Sequence, residues 1–410
     1  MSSLWSSPRL FDAGSQFRGH DGSNFPHLPE NRVAPCRRCR YTTAFVYQSF
    51  IARSSLYEER NCLTKEPFMS FCKQGLLVAC ALLALSCSGT KQPDTPGSTT
   101  SDRPRFVFIT NSNSPFWDAA RKGLDDAAKE FGAEVELIRN DSSPAGQIRR
   151  LEQVAAQRDV KGVMVSVVEP NASGIIDQMK ALRAKGIPVL ALDSDGQKET
   201  RDAYIGTNNI EAGRALGRAA VQLLPGGGKA VAFVGIRSAQ NAQERVNGFK
   251  DGAGAQIQVV DVMEDSGDVN KARRNVAAAL QNHPDLKMLV GIWSYNAPAI
   301  VDEVKAAGKR SSLKLVTFDA EPNTLLALKE GLLDATAVQN PYMMGYLGVK
   351  VLKALLNKDE ATVKAVVGEP GIKDTGIRLV TPDDSKITSD VLIHFSDFKK
   401  DLDAKGLTSS

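Results

Sequence analysis

Residues 105–132 read RFVFITNSNSPFWDAARKGLDDAAKEFG. The first six, RFVFIT, form a short run with an apolar centre, which predicts a strand buried on both faces. After a polar loop, apolar residues recur at 116, 120, 124, 127 and 131, the stripe of an amphipathic helix. Ser114 and Pro115 suit the N-cap and first helical position, and Gly132 suits the stop. Two large rings, Phe116 and Trp117, therefore stand where a strand hands over to a helix. Phe116 lies on the helix's own apolar stripe, so packing alone could account for it. Trp117 is turned about 100° away from Phe116, which favours an exposed position or one facing a cleft.

The alternation continues along the chain. EVELI, a helix around 145–157, GVMVSVV, a helix around 171–185 and PVLALD complete a βαβαβ pattern and imply a parallel sheet covered on both faces. The pattern then starts again at KAVAFVG (229–235), followed by a helix ending near Gly252, QIQVV, LKMLVGIW and KLVTFD (314–319). An aspartate closes each series, Asp193 after Leu192 and Asp319 after Phe318, 126 residues apart, while the opening strands are 124 apart. Two similar α/β lobes are expected. In such sheets ligands bind beyond the carboxyl ends of the strands, where Asp193, Asp319 and the SNSPFW loop all fall.

Charge is unevenly spread. The chain has 51 Lys+Arg and 47 Asp+Glu; residues 1–86 hold 10 and 6 of them, leaving 41 of each sign beyond. A neutral body gives no electrostatic footprint for nucleic acid or anionic lipid. All six cysteines (Cys36, Cys39, Cys62, Cys72, Cys80 and Cys87) lie at or before position 87, so the body needs no disulfide and tolerates an oxidising compartment. Cys36-Arg37-Arg38-Cys39 has zinc or redox spacing, but no second ligand pair follows it.

Residues 69–87, MSFCKQGLLVACALLALSC, have the layout of a secretory signal: Met69, a basic Lys73, an apolar run from Leu76 to Leu85, and a small residue before Cys87. The apolar run is too short to span a bilayer. With Cys87 next, the segment resembles a bacterial lipoprotein signal whose cysteine is acylated; Cys80 is the alternative acceptor. SGTKQPDTPGSTTSDR then reads as a flexible tether. The expected organisation is an N-terminal extension over 1–68, outside the natural protein if translation starts at Met69, a signal over 69–86 and a linker over 87–103.

The body resembles periplasmic sugar-binding proteins of the ribose-binding type, the receptors of ABC importers, over roughly residues 104–382. The residues carrying the resemblance are Ser114-Pro115-Phe116-Trp117, Pro188-Val189 leading to Asp193, Ile205-Gly206-Thr207-Asn208-Asn209, Glu244-Arg245 with Gly248-Phe249, Phe318-Asp319, and Ala337-Val338-Gln339. The resemblance implies two Rossmann-like lobes with a ligand cleft between them, joined by a three-strand hinge. The first lobe would be 104–207 plus 340–375, and the second 208–339 plus 376–410. It also implies that Phe116 and Trp117 sandwich a sugar ring, and that Asp193, Arg245, Asp319 and Gln339 hydrogen-bond its hydroxyls. Ribose receptors have asparagine where Ser114 stands, arginine where Ser194 stands and asparagine near Trp293, which argues against ribose itself. On position alone, Trp293 and Asn296 are expected to line the cleft from the second lobe.

Plainer roles exist for several of these residues. A lone Asp after a strand is commonly a helix cap, Arg245 could be a solvated helix residue, and Gln339 a simple strand end. Pro225-Gly226-Gly227-Gly228-Lys229 lacks phosphate-loop spacing and precedes a strand. His283 and His394 have no partners spaced for a metal, and no catalytic constellation stands out. The reading is a non-enzymatic, cofactor-free and metal-free receptor, exported to the periplasm or held at the membrane by lipid on Cys87 alone. It would be monomeric, capture a sugar and deliver it to an ABC permease. The alternatives are a receptor signalling to a sensor kinase or chemoreceptor, a transcription regulator, and a two-lobed enzyme.

Overall fold

A computed structural model describes residues 103–410; the expected signal, Cys87, the Cys36/Cys39 pair and the tether lie outside the described residues. In chain order the strands are β1 (Arg105–Ile109), β2 (Glu134–Ile138), β3 (Val160–Val165), β4 (Val189–Leu192), β5 (Ala203–Gly206), β6 (Gly228–Val234), β7 (Ile257–Glu264), β8 (Leu286–Gly291), β9 (Lys314–Phe318), β10 (Ala335–Val338), β11 (Ile372–Asp374), β12 (Arg378–Thr381) and β13 (Leu392–His394). They form two sheets, in the orders β11-β5-β4-β3-β1-β2 and β13-β12-β10-β9-β8-β6-β7. Every pairing is parallel except β10 with β12.

Alternation along each central strand sends residues to two faces, and both faces are buried. In β1, Phe106 and Phe108 pack with Leu124, Val349 and Leu352, while Val107 and Ile109 pack with Leu151, Val154 and Met179. In β6, Ala230, Ala232 and Val234 pack with Leu216 and Phe249, while Val231 and Phe233 pack with Val276 and Val304. That is why these strands are apolar throughout.

The helix after β1, α1 (Phe116–Phe131), stops at Gly132, whose φ of 63° is the left-handed conformation that glycine adopts without cost. Its start lies one residue later than the sequence suggests. Pro115 is the N-cap, and Ser114 Oγ accepts the N–H of Phe116 at 3.2 Å. The shift matters little to the helix but leaves Ser114 free to face the cleft.

The remaining helices are α2 (Pro144–Ala155), α3 (Ser173–Ala184), α4 (Asn209–Leu223), α5 (Gln240–Ala253), α6 (Val269–Asn282), α7 (Asn296–Ala306), α8 (Pro322–Lys329), α9 (Pro341–Leu356), α10 (Glu360–Val367) and α11 (Phe395–Ala404). The chain leaves the first sheet after β5, returns after β10, where α9 packs on α1, and leaves again after β11. The two halves are closed on each other: Ala119 of α1 is buried with Leu315 and Leu325, and Val168 is buried with Ile236 and Trp293.

α4 and α5 approach closely at glycine. A Cβ on Gly248 would sit 2.2 Å from the carbonyl oxygen of Ile210, and one on Gly213 would sit 2.3 Å from that of Arg245. Gly248→Ala therefore forces the helices apart. The substitution should lower unfolding free energy by about 1–3 kcal/mol, read from urea denaturation; unchanged stability would show that the helices separate freely.

Candidate functional site

β4 and β9 end in the same way. The N–H of Asp193 still bonds to Ile205 O (3.1 Å), and that of Asp319 to Ala337 O (2.9 Å). Each aspartate then takes a left-handed backbone, with φ of 65° and 67°, a conformation that costs energy for a residue with a side chain. The turn aims both carboxylates into the space between the sheets. Neither residue caps a helix. Repetition of one strained geometry at matched positions marks a built site rather than a chance irregularity.

Between these carboxylates lies Arg245, from α5, almost wholly buried. Its Nε donates to Asn209 Oδ1 (2.8 Å), its Nη1 to Ile292 O (3.1 Å), and its plane lies over the Phe318 ring at 4.8 Å. Nη2 approaches Asp193 Oδ1 at 3.6 Å, an ion pair without a hydrogen bond, and has no hydrogen-bond partner. Asp193 also accepts from Ser166 Oγ (3.0 Å), Asn241 Nδ2 (3.3 Å) and Asn111 Nδ2 (3.5 Å). Asp319 accepts from Gln339 Nε2 (3.0 Å), and Gln339 Oε1 accepts from Thr207 Oγ1 (2.9 Å), so that side chain is a bridge and not a plain strand end.

Burial pushes the Asp319 carboxyl up to about 7, against the pull of Arg245 and the Gln339 hydrogen bond. Burial raises Asp193 as well, and Arg245, Ser166 and Asn241 oppose the rise.

The cleft holds about 290 Å³ of non-atom space, the open solvent at its mouth included. Of the residues expected from sequence, Ser114, Phe116, Trp117, Asp193, Arg245, Trp293, Asp319 and Gln339 all border it. Asn296 does not. Its amide is taken up one layer behind: Oδ1 accepts the N–H of Trp293 (2.9 Å) and Nδ2 donates to Asp265 Oδ2 (2.9 Å). Tyr295 also donates to Asp265 (2.5 Å), whose carboxyl burial raises to about 6. Asn296 thus fixes the turn that presents Trp293.

Phe116 and Trp117 meet edge to face, centroids 4.8 Å apart at 82°. Perpendicular rings make a corner, not the slot that sandwiching would need; Trp293 borders the same cleft from the second half. Trp117 is buried, its Nε1 donating to Ser112 Oγ (3.2 Å) and its ring edge-on to Phe108. It is core on one side and wall on the other.

Sequence reasoning missed Asn111, Ser112, Asn241, Ser294 and Tyr295, all of which border the cleft. Asn241 was within reach, since it precedes Arg245 by four residues and shares its helix face. Buried Asn241 Oδ1, Arg245 Nη2 and Trp293 Nε1 have no hydrogen-bond partner. Buried polar groups are normally paired, so these three call for an acceptor and donor-bearing molecule. The bordering residues include no His, Cys or Lys, and the described residues contain no cluster of His, Cys, Asp or Glu arranged to hold a metal.

A profile for the periplasmic binding protein domain matches residues 106–360. The chain belongs to that family. The ribose import binding protein of Bacillus subtilis is 25% identical over 298 residues, covering 71% of this chain and 93% of that protein. The D-ribose/D-allose-binding protein of Pseudomonas aeruginosa is 27% identical over 315 residues, covering 73% and 96%. Among solved structures, an ABC transporter solute binding protein from Burkholderia graminis in complex with D-arabinose is 30% identical, with a TM-score of 0.64, covering 70% of this chain and 99% of that one.

Proposed function

We propose that this protein is a solute receptor that closes on a monosaccharide or similar polyhydroxylated molecule and presents it to an ABC import permease. The observation carrying this reading is the cleft itself. It sets aromatic walls against two carboxylates and a guanidinium, and leaves Asn241 Oδ1, Trp293 Nε1 and one guanidinium nitrogen unpaired, which suits a molecule with C–H faces and a rim of hydroxyls. Each charge-assisted bond is worth about 1.5–3 kcal/mol net, so three or four support micromolar affinity or better. The relatives named above are binding proteins, and the role is binding without chemistry. Closure excludes water, and a ligand touching both lobes selects the closed form.

Export, with an acyl anchor on Cys87, belongs to the same reading. Intact mass of the mature protein from its own cell envelope tests it: an unacylated chain retaining residues before 87 overturns that part alone.

Ligand capture is tested by thermal shift on residues 103–410, which lie within one compact unit, with pentoses, hexoses, polyols and several non-sugars. A ligand binding only the folded form raises the melting temperature, by about 2.7 kcal/mol of stabilisation at a hundredfold excess over Kd. A folded protein giving no shift with any sugar would overturn the reading.

A further inference from the structure

A third carboxylate stands beside the cleft, behind the residues that border it. Glu321, just before α8, is buried, and its Oε1 accepts from Ser294 Oγ at 2.6 Å and from Ser114 Oγ at 3.0 Å. The two serine oxygens are themselves 3.0 Å apart. Ser114 belongs to the first lobe, whereas Ser294 and Glu321 follow β8 and β9 of the second, so the contact exists only when the lobes are closed. Ser114 and Ser294 border the cleft; Glu321 lies behind them.

Counting protons gives this cluster a direction. A carboxylate only accepts, and each serine has one proton. Ser294 gives its proton to Glu321 across the shortest of the three contacts. Ser114 gives its proton either to Glu321 or to Ser294, and its oxygen already receives the Phe116 N–H. In neither arrangement is a hydroxyl proton left for the cleft, so both serines face a ligand with lone pairs alone.

We propose that Glu321 is a positioning residue for ligand capture: it holds Ser114 and Ser294 together across the closed cleft and fixes both hydroxyls as acceptors, so that this end of the site reads a hydrogen-bond donor on the ligand. This rests on the monosaccharide reading above. Glutamine in place of Glu321 keeps the size but brings an N–H₂ group that can donate to the serine oxygens, which frees their protons to turn into the cleft.

The test is isothermal titration of wild type, Glu321→Gln and Ser294→Ala with D-arabinose, D-ribose, D-glucose and D-galactose, each with its monodeoxyfluoro analogues. Fluorine at a ring position can accept weakly but cannot donate. At one ring position the wild type should lose up to about tenfold in affinity on fluorination, the upper size of one neutral hydrogen bond. In Glu321→Gln that loss should shrink to about twofold or less while losses at other positions persist, and Ser294→Ala should reduce it at the same position. A merely structural role would weaken all positions alike. Uniform weakening, or an unchanged positional profile in Glu321→Gln, would overturn the assignment while leaving sugar capture standing. If the wild type binds none of the parent sugars, the monosaccharide reading falls and this assignment with it.

Discussion

Arg245→Met should abolish sugar capture and destabilise the ligand-free protein by about 3–5 kcal/mol at pH 8. Among the described residues this side chain is the one cation bordering the cleft, and it faces Asp193 while lying over the ring next to Asp319. Methionine fills much of the volume but leaves two buried carboxylates without a counter-charge, and strands Asn209 Oδ1 and Ile292 O without their donors. Isolated buried charge is avoided by protonation. The cost should therefore shrink at pH 5, where both carboxyls can be neutral in the variant. Urea denaturation of wild type and variant at both pH values measures this. A small cost equal at pH 5 and 8 would mean that Arg245 does not stabilise the two carboxylates.

The fold was legible because its signal is local and repeated. Each buried strand is a short apolar run, each helix carries a stripe, and the second half restates the first with its aspartate in place. Duplication is also what separated Asp193 and Asp319 from ordinary caps, before their shared left-handed backbone gave the reason. The edge strands β11 and β13, and β12 beside β13, run to only three or four residues, too few to show a period, and were not read.

Errors in the site came from pairings that sequence does not display. Asn296 stands near the cleft in the chain, but Asp265, 31 residues away, claims its amide. Glu321 is two residues beyond Asp319 and escaped notice because it acts through serines from two lobes, one of them 207 residues distant. Trp117 was correctly turned away from its helix stripe. The sheet edge nevertheless covers it from behind, so rotation about the helix does not by itself distinguish wall from surface.

Ligand-free stability should fall as pH rises from 5 to 8, and affinity for sugar should rise over the same interval. Asp319 titrates near 7 and Asp265 near 6 in the folded protein, and Asp193 is also raised, against an ordinary value of 3.8. The folded state thus holds protons that the unfolded chain has released. The stability these groups contribute is complete below about 4 and is lost as pH climbs through 6 and 7. Carboxyls held low, such as Asp126, Asp141 and Asp383, act in the opposite sense, but only below the ordinary range, so they do not compensate. Capture runs the other way, because sugar hydroxyls donate to the ionised form. With a value near 7, Asp319 goes from roughly one-tenth ionised at pH 6 to nine-tenths at pH 8, which predicts up to about a tenfold gain in affinity and release of up to about half a proton on binding at pH 7. Calorimetry in two buffers of different ionisation enthalpy measures that release. Asp319→Asn, which mimics the neutral carboxyl, should flatten the fall in melting temperature between pH 5 and 8 and weaken binding at every pH. A variant that keeps the full wild-type slope would place the titrating group elsewhere, with Asp265 the next to replace.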